Sequence, residues 1–285
     1  MYYDLTDTAT IEYLLKDQGF HFSKSLGQNF ITDPEVCPRI VWESGIDRDC
    51  GVIEIGPGIG VLTAELCKAA GKVVSIELDK KLLPVLDKTL ADYDNVKVIN
   101  ADAMKTDIGK LIADEFAGMK VCVCANLPYY ITTPIIMYLL ENGKGIDSMT
   151  VMVQKEAADR LCAKVGSRDA GAITAAVHYY SIPEKLFDVS KNSFMPVPKV
   201  NSSVIKLKLR DKPPVDIGDE KQFFALVKAA FGQRRKTALN SLSSGLGISK
   251  DKVSAALTQC GFDLNVRAET MSMDDFAALS NILYN

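Results

Sequence analysis

The chain is poor in the residues that build metal centres. It has 2 histidines, His21 and His178, with no ligand spacing between them. Its 7 cysteines (Cys37, Cys50, Cys67, Cys122, Cys124, Cys162 and Cys260) are odd in number and form no Cys-x-x-Cys pair. Neither a disulfide framework nor a metal site is expected. No run of about 18 apolar residues occurs, so no helical membrane span is expected. The opening residues, Met1 to Ile11, are acidic and polar, unlike a secretory leader, and a cytoplasmic protein is expected. A basic surplus is also lacking: 33 Lys and Arg against 36 Asp and Glu leave a net charge of −3. Nucleic-acid binders often carry such a surplus, so any surface of that kind has to be local. There is no internal repeat and no low-complexity tract. What is present, 285 residues with 47% apolar and 24% charged, is enough for two globular domains.

From residue 51 the pattern becomes regular. Short apolar runs at Val52–Ile55, Val73–Ile76, Val96–Ile99, Val121–Cys124 and Met149–Val153 read as buried strands. Helical patterns follow at Val61–Ala70, Lys80–Leu90 and Lys155–Ala163. Strands alternating with helices imply an α/β fold with a parallel, doubly wound, Rossmann-like sheet. Before it, Asp33-Pro34 predicts a helix start, with Asp33 as N-cap and Pro34 at the first helical position. After residue 175 the runs Val177–Tyr180, Lys185–Val189 and Val204–Leu209 read as strands with no helices between them, an antiparallel addition at the sheet edge. Asp211–Gly218, with Pro213-Pro214, reads as a linker. Asp219–Phe231, Arg234–Leu242, Lys250–Gln259 and Met273–Leu283 read as helices. The expected division is a catalytic domain over 1–212 and a small all-α domain over 213–285.

Glu54-Ile55-Gly56-Pro57-Gly58-Ile59-Gly60 lies between a predicted strand and a predicted helix. Glycines there allow a sharp turn and a close approach of a ligand to the main chain. A dinucleotide fingerprint wants Gly-x-Gly-x-x-Gly; here the third glycine comes one place early and Pro57 lies inside the turn. A nucleoside joined to an amino acid suits this loop better than a pyrophosphate. Glu77 closes the next strand, about 20 residues past the first glycine, where an acid takes ribose hydroxyls. Asp102 follows the third strand, where a carboxylate can accept from an adenine amine. Any α/β protein with a tight loop has such glycines; the two acids at successive strand ends narrow the choice.

Asn126-Leu127-Pro128-Tyr129 follows the fourth strand directly. Methyl transfer from a sulfonium needs alignment rather than a metal. An exocyclic adenine amine is a poor nucleophile, and acceptors at its N–H groups help it as positive charge develops. The Asn126 amide oxygen and a backbone carbonyl near Leu127 can serve. Pro128 fixes the turn, and Tyr129 offers a ring for base stacking. Phe194, in Phe194-Met195-Pro196-Val197-Pro198-Lys199-Val200-Asn201-Ser202, is a second aromatic candidate, either facing the base or plugging the core.

Along nearly its whole length the chain resembles the ribosomal RNA adenine dimethylases. The motifs that carry the likeness are Lys24 to Phe30, Glu54 to Gly60, Asn126 to Tyr129 and Phe194 to Ser202, in that order. The resemblance implies a class I fold using S-adenosylmethionine and releasing S-adenosylhomocysteine, with no metal. It implies that Asn29, Ile31, Gly56, Gly58, Glu77, Asp102 and Asn126 hold the cofactor, and that Tyr129 and Phe194 sandwich a flipped adenine. Phe231-Gly232-Gln233-Arg234-Arg235-Lys236-Thr237, Arg267-Ala268-Glu269 and Leu127 resemble the small-subunit (16S) branch rather than the erythromycin-resistance methylases. The implied substrate is a pair of adjacent adenines in the 3′-terminal hairpin of small-subunit rRNA, each dimethylated on N6. The implied partner is a near-mature small ribosomal subunit, and a monomer is expected. The family's Tyr-Gly-Arg-Leu-Ser segment is replaced by Ala170-Gly171-Ala172-Ile173-Thr174, so its arginine is missing or moved to Arg168.

Lys199 and the Arg234-Arg235-Lys236 cluster are the candidate RNA contacts. Lys206, Lys208 and Arg210 alternate with apolar residues and give one basic strand face, which a solvated surface explains equally well. The alternatives are a methylase of large-subunit rRNA conferring macrolide resistance, a DNA methylase, an assembly factor acting mainly by binding, and, more distantly, a nicotinamide dehydrogenase.

Overall fold

A computed structural model describes residues 3–17 and 28–284. His21 and the Lys24–Gly27 part of the first motif lie outside the described residues. The chain opens with α1 (Thr8–Asp17), a short strand β1 (Phe30–Ile31) and α2 (Val36–Ser44). Strands and helices then alternate: β2 (Cys50–Ile55), α3 (Val61–Ala69), β3 (Lys72–Glu77), α4 (Leu83–Thr89), β4 (Val96–Asn100), α5 (Ile108–Glu115), β5 (Lys120–Asn126), α6 (Thr132–Asn142), β6 (Ile146–Gln154) and α7 (Lys155–Leu161). After α8 (Ala172–Tyr180) come β7 (Ser181–Val189), β8 (Phe194–Met195) and β9 (Ser202–Leu209). The chain closes with α9 (Glu220–Phe231), α10 (Ala238–Leu246), α11 (Lys250–Gln259) and α12 (Met273–Tyr284).

The residues group into two compact units, one of 1–158 with 184–209 and one of 159–183 with 210–285. The grouping is discontinuous in sequence, whereas composition suggests a single cut at 212. The difference is α8: Ala175 and Tyr179 are buried with Phe223, Leu226 and Val227 of α9.

The first unit is built on a sheet of order β4-β3-β2-β5-β6-β9-β7. The pairs β3–β4, β2–β3, β2–β5 and β5–β6 are parallel, and β9 runs antiparallel to β6. This is the Rossmann-like α/β sheet with an antiparallel addition that the sequence pattern implies. Every residue of β2 is buried, as a strand covered on both faces requires. Cys122 and Cys124 are small buried residues packed with Val52 and Leu66. The second unit is all-helical, around Phe223, Leu242, Leu257 and Phe276.

Several local expectations are corrected. Val177–Tyr180 is the end of α8, not a strand. Gly171 and Thr174 start the helix, the Gly171 N–H donating to Thr174 Oγ1 at 2.9 Å, and the alanines that follow favour it over the β-branched residues. Asp33 opens a turn, accepting from the Glu35 N–H at 3.1 Å, while α2 begins only at Val36. Arg234–Lys236 lies in the turn before α10, because Thr237 is the residue whose side chain caps that helix.

Phe276 is fully covered and lies 5.7 Å from the Phe231 ring. Phe276→Ala is expected to cost about 3–5 kcal/mol, measured by urea unfolding, with Phe276→Leu costing clearly less.

Candidate functional site

β3 and β4 lie to one side of β2, and β5 and β6 to the other. Connections from β2 and β5 therefore leave in opposite directions, and the loops part at the carboxyl ends of these strands, the place where open α/β sheets bind ligands. A cavity with about 1130 Å³ of unfilled space, partly open to solvent, occupies this position. Its wall includes Asn29 and Ile31, Gly56 and Gly58, Glu77, Asp102, and Asn126 to Tyr129. Residues from five separate loops, chosen from the sequence, thus meet at one place.

The turn after β2 owes its shape to its glycines. Gly56, Gly58 and Gly60 have φ of 70, 62 and 95°, values that other residues rarely adopt. A Cβ on Gly58 would lie 3.2 Å from the Phe30 ring, whereas one on Gly56 would meet nothing within 4 Å. Gly56 therefore presents bare main chain to open space. The Gly60 N–H donates to the Pro57 carbonyl at 2.9 Å, and Thr89 Oγ1 donates to the Ile59 carbonyl at 2.9 Å. The turn is held from within and from α4.

Two carboxylates are buried beside it. Glu54 is 1% exposed and accepts hydrogen bonds from Thr63 Oγ1 at 2.7 Å and Ser75 Oγ at 2.6 Å. Burial pushes its pKa up to about 7 against the effect of those donors. Glu77, at the end of β3, is also pushed up to about 7 by burial, although the Asp79 N–H donates to it at 2.7 Å. Asp102 is more open; it accepts from the Met104 N–H at 3.0 Å and faces Lys105 Nζ at 3.6 Å.

Asn126 ends β5, and its Nδ2 donates to the Asn29 carbonyl at 3.4 Å. Among the described residues its Oδ1 accepts no hydrogen bond, so an acceptor is left at the cavity. Leu127 is buried, and its N–H donates to the Met152 carbonyl at 3.2 Å. The Pro128 carbonyl accepts from the Ile131 N–H at 3.2 Å and from Thr132 Oγ1 at 3.0 Å, which fixes the turn into α6. The Tyr129 hydroxyl lies 2.6 Å from Ser202 Oγ.

The two aromatic candidates are placed differently. Tyr129 lines the cavity. Phe194 is 2% exposed, pairs with Ile31 between β8 and β1, and packs with Val36, Phe187 and Val204. Its ring is not part of the cavity wall. Sequence reasoning passed over Leu78 and Tyr130, which line the cavity while 51% and 56% exposed. Leu78 adjoins Glu77 and Tyr130 adjoins Tyr129, but nothing in either residue type marks it. Gln28 was also missed; its Nε2 donates to Asp79 at 3.2 Å.

Lys199 is exposed in the loop between β8 and β9. Arg234, Arg235 and Lys236 are exposed in the second unit, where Arg234 Nη2 donates to the Arg168 carbonyl at 2.9 Å and Arg267 donates to the Arg234 carbonyl. The basic strand face does not form as a continuous surface. Lys206 Nζ reaches the Glu43 carbonyl at 3.5 Å, and Arg210 Nε donates to the His178 and Ser181 carbonyls, each at 3.1 Å. Lys208 alone of the three is exposed. Among the described residues no group of three or more His, Cys, Asp or Glu is placed to hold a metal ion, and no helix is long and apolar enough to cross a membrane.

The model of the family described as ribosomal RNA adenine dimethylase matches residues 19–285. The chain is 48% identical over 287 residues to a ribosomal RNA small subunit methyltransferase A of Geobacillus thermodenitrificans, covering 99% of this chain and 98% of that one. It is 48% identical over 284 residues to the protein of that name from Bacillus mycoides, covering 98% and 97%. Among solved structures it is similar to the 23S rRNA methyltransferase ErmE, with TM-score 0.68 and 26% identity over 90% of this chain and 100% of that one. It is also similar to a dimethyladenosine transferase from Plasmodium falciparum, with TM-score 0.70 and 25% identity over 87% and 95%.

The buried Glu54 makes stability depend on pH. Its folded pKa, about 7, lies above the unfolded value of about 4.3. The fold is therefore favoured in the protonated form; that stabilisation is complete below the unfolded pKa and is lost as pH rises through about 7. In thermal melts from pH 5.5 to 8 the wild type should lose more stability than Glu54→Gln, by on the order of a few kcal/mol. Parallel curves for the two proteins would show that Glu54 does not titrate there.

Proposed function

Since the chain belongs to the ribosomal RNA adenine dimethylase family, we propose that it moves methyl groups from S-adenosylmethionine to the N6 amines of adenines in small-subunit rRNA. The observation that carries this is the Asn126 amide, which ends β5 at the cavity and keeps Oδ1 available as an acceptor. The small subunit is preferred because relatives at 48% identity are named for it, whereas the large-subunit enzyme ErmE stands at 26%.

The cavity suits S-adenosylmethionine. Gly56 and Gly58 let a ligand reach the main chain. Glu77 is positioned to take the ribose hydroxyls, and Asp102 the adenine amine. Leu78 offers an apolar surface to a purine ring, and Asn29 and Ile31 close the near side. When bound, this group supplies a methyl made electrophilic by its sulfonium and leaves as S-adenosylhomocysteine. Asn126 Oδ1 accepts an N–H of the adenine amine and holds the nitrogen in line, with preorganised polarity where positive charge develops. Pro128 and Leu127 hold that turn rigid. Tyr129 stacks on the base, and Phe194 supports the site from behind by anchoring β8 against β1.

The target we infer is two adjacent adenines in the 3′-terminal hairpin loop, each methylated twice, in a near-mature small ribosomal subunit. A monomeric, cytoplasmic enzyme is the working form. The helical unit beyond residue 212 serves RNA recognition, and Arg234, Arg235, Lys236 and Lys199 neutralise phosphates, so binding weakens with salt.

Labelled methyl should pass from S-adenosylmethionine to small subunits lacking the modification, appear as N6,N6-dimethyladenosine in the 3′-terminal hairpin, and fall at least about 100-fold in Asn126→Ala. Transfer confined to large subunits would overturn the assignment. Glu77 predicts the pH dependence of cofactor binding. Its pKa is raised to about 7, so a drop in pH from 8 to 6 protonates it and removes the charged acceptor. Calorimetric Kd for S-adenosylmethionine should rise over that range, and Glu77→Gln should bind weakly with a flatter profile.

A further inference from the structure

Ser202 is the first residue of β9 and has no exposed surface. A strand packed in a core usually places an aliphatic residue there, because a buried hydroxyl has to be satisfied. The next serine shows the alternation of the strand. Ser203 Oγ donates to Asp188 at 2.7 Å, while Ser202 Oγ meets the Tyr129 hydroxyl at 2.6 Å. Successive side chains point to opposite faces, so Ser203 bonds Asp188 on one face of the sheet and Ser202 meets Tyr129 on the other. The Ser202–Tyr129 bond spans β6, which lies between β5 and β9 in the sheet. It joins the turn after β5 to the point where the loop bearing Lys199 returns to the sheet. That point is itself fixed, since the Lys155 N–H donates to the Asn201 carbonyl at 3.0 Å, and the Lys191 N–H donates to Asn201 Oδ1 at 3.0 Å. A tyrosine ring turns about two side-chain bonds; its hydroxyl oxygen lies on the axis of the second, so tethering that oxygen to a buried group restrains the first and fixes where the ring sits.

We propose that Ser202 is a positioning residue for the methyl-transfer reaction, holding the Tyr129 ring in the place from which it stacks on the reacting adenine. This rests on the function proposed above. Ser202 does not touch the base; it acts through the Tyr129 hydroxyl.

The test is a double-mutant cycle in steady-state methylation of unmodified small subunits, with wild type, Ser202→Ala, Tyr129→Phe and the double variant. Each single variant removes the same hydrogen bond. The expected result is that either one raises KM for the subunit about 3- to 10-fold with kcat little changed, because stacking is made equally in ground and transition states. The double variant should match either single one rather than their product. Calorimetric Kd for S-adenosylmethionine should be unchanged in all four, which a general loss of structure would not permit. Unchanged KM in Ser202→Ala, or effects that multiply in the double variant, would overturn the role of Ser202 while leaving the function standing. A wild type that binds cofactor but methylates no small subunit would instead remove the proposed function, and this role with it.

Discussion

The site depends on one backbone constraint: three glycines with positive φ within five residues, at the end of β2, the middle one of the five mutually parallel strands. They let the chain turn from β2 into α3 without covering the end of the sheet. Bulkier residues would strain the turn, and at Gly58 would also press on the Phe30 ring. With the turn in place, the ends of β3, β4 and β5 all open on the same space. Glu77, Asp102 and Asn126 then converge without any change in the strands that carry them.

That convergence is costly. Two carboxylates, Glu54 and Glu77, sit in a region dry enough to hold both near a pKa of about 7. Glu54 is tolerated because it crosslinks α3 and β3 through Thr63 and Ser75, which steadies the turn from beneath. Glu77 also ties main chain together, accepting from the N–H groups of Asp79, Gly58 and Leu78, and it stands at the cavity wall.

A second level of order comes from contacts between residues far apart in the chain. The segment 28–33 touches the loop after β3 through Gln28, the glycine turn through Phe30 and the Asn126 motif through the Asn29 carbonyl. Through β1 it pairs with β8, and Ser193 Oγ donates to Asp33 at 2.9 Å. The Tyr129–Ser202 hydrogen bond makes a similar link across the sheet. Phe194 takes its place in this scheme as a buried residue of β8, clustered with Val36, Phe187 and Val204.

Much of this was legible in the sequence. Apolar runs alternating with helical patterns gave the parallel sheet, since burial on both faces leaves strands nearly continuous in apolar residues. The glycine turn, the acids closing successive strands and the Asn-Leu-Pro-Tyr run marked the site, because each is local and each sits at a strand end. Local pattern failed where neighbours decided the outcome. Val177–Tyr180 became helix under an upstream cap, the basic stripe of β9 was dispersed when Lys206 and Arg210 found carbonyl partners, and α8 joined the C-terminal helices. The sequence by itself determined which strand ends bring polar residues to the cavity wall, because composition and spacing act within a few residues. Only the tertiary structure decided which aromatic faces the cavity, which serine holds it and which cations stay in solvent, because register, burial and hydrogen-bond partners come from residues 29 to 163 positions away.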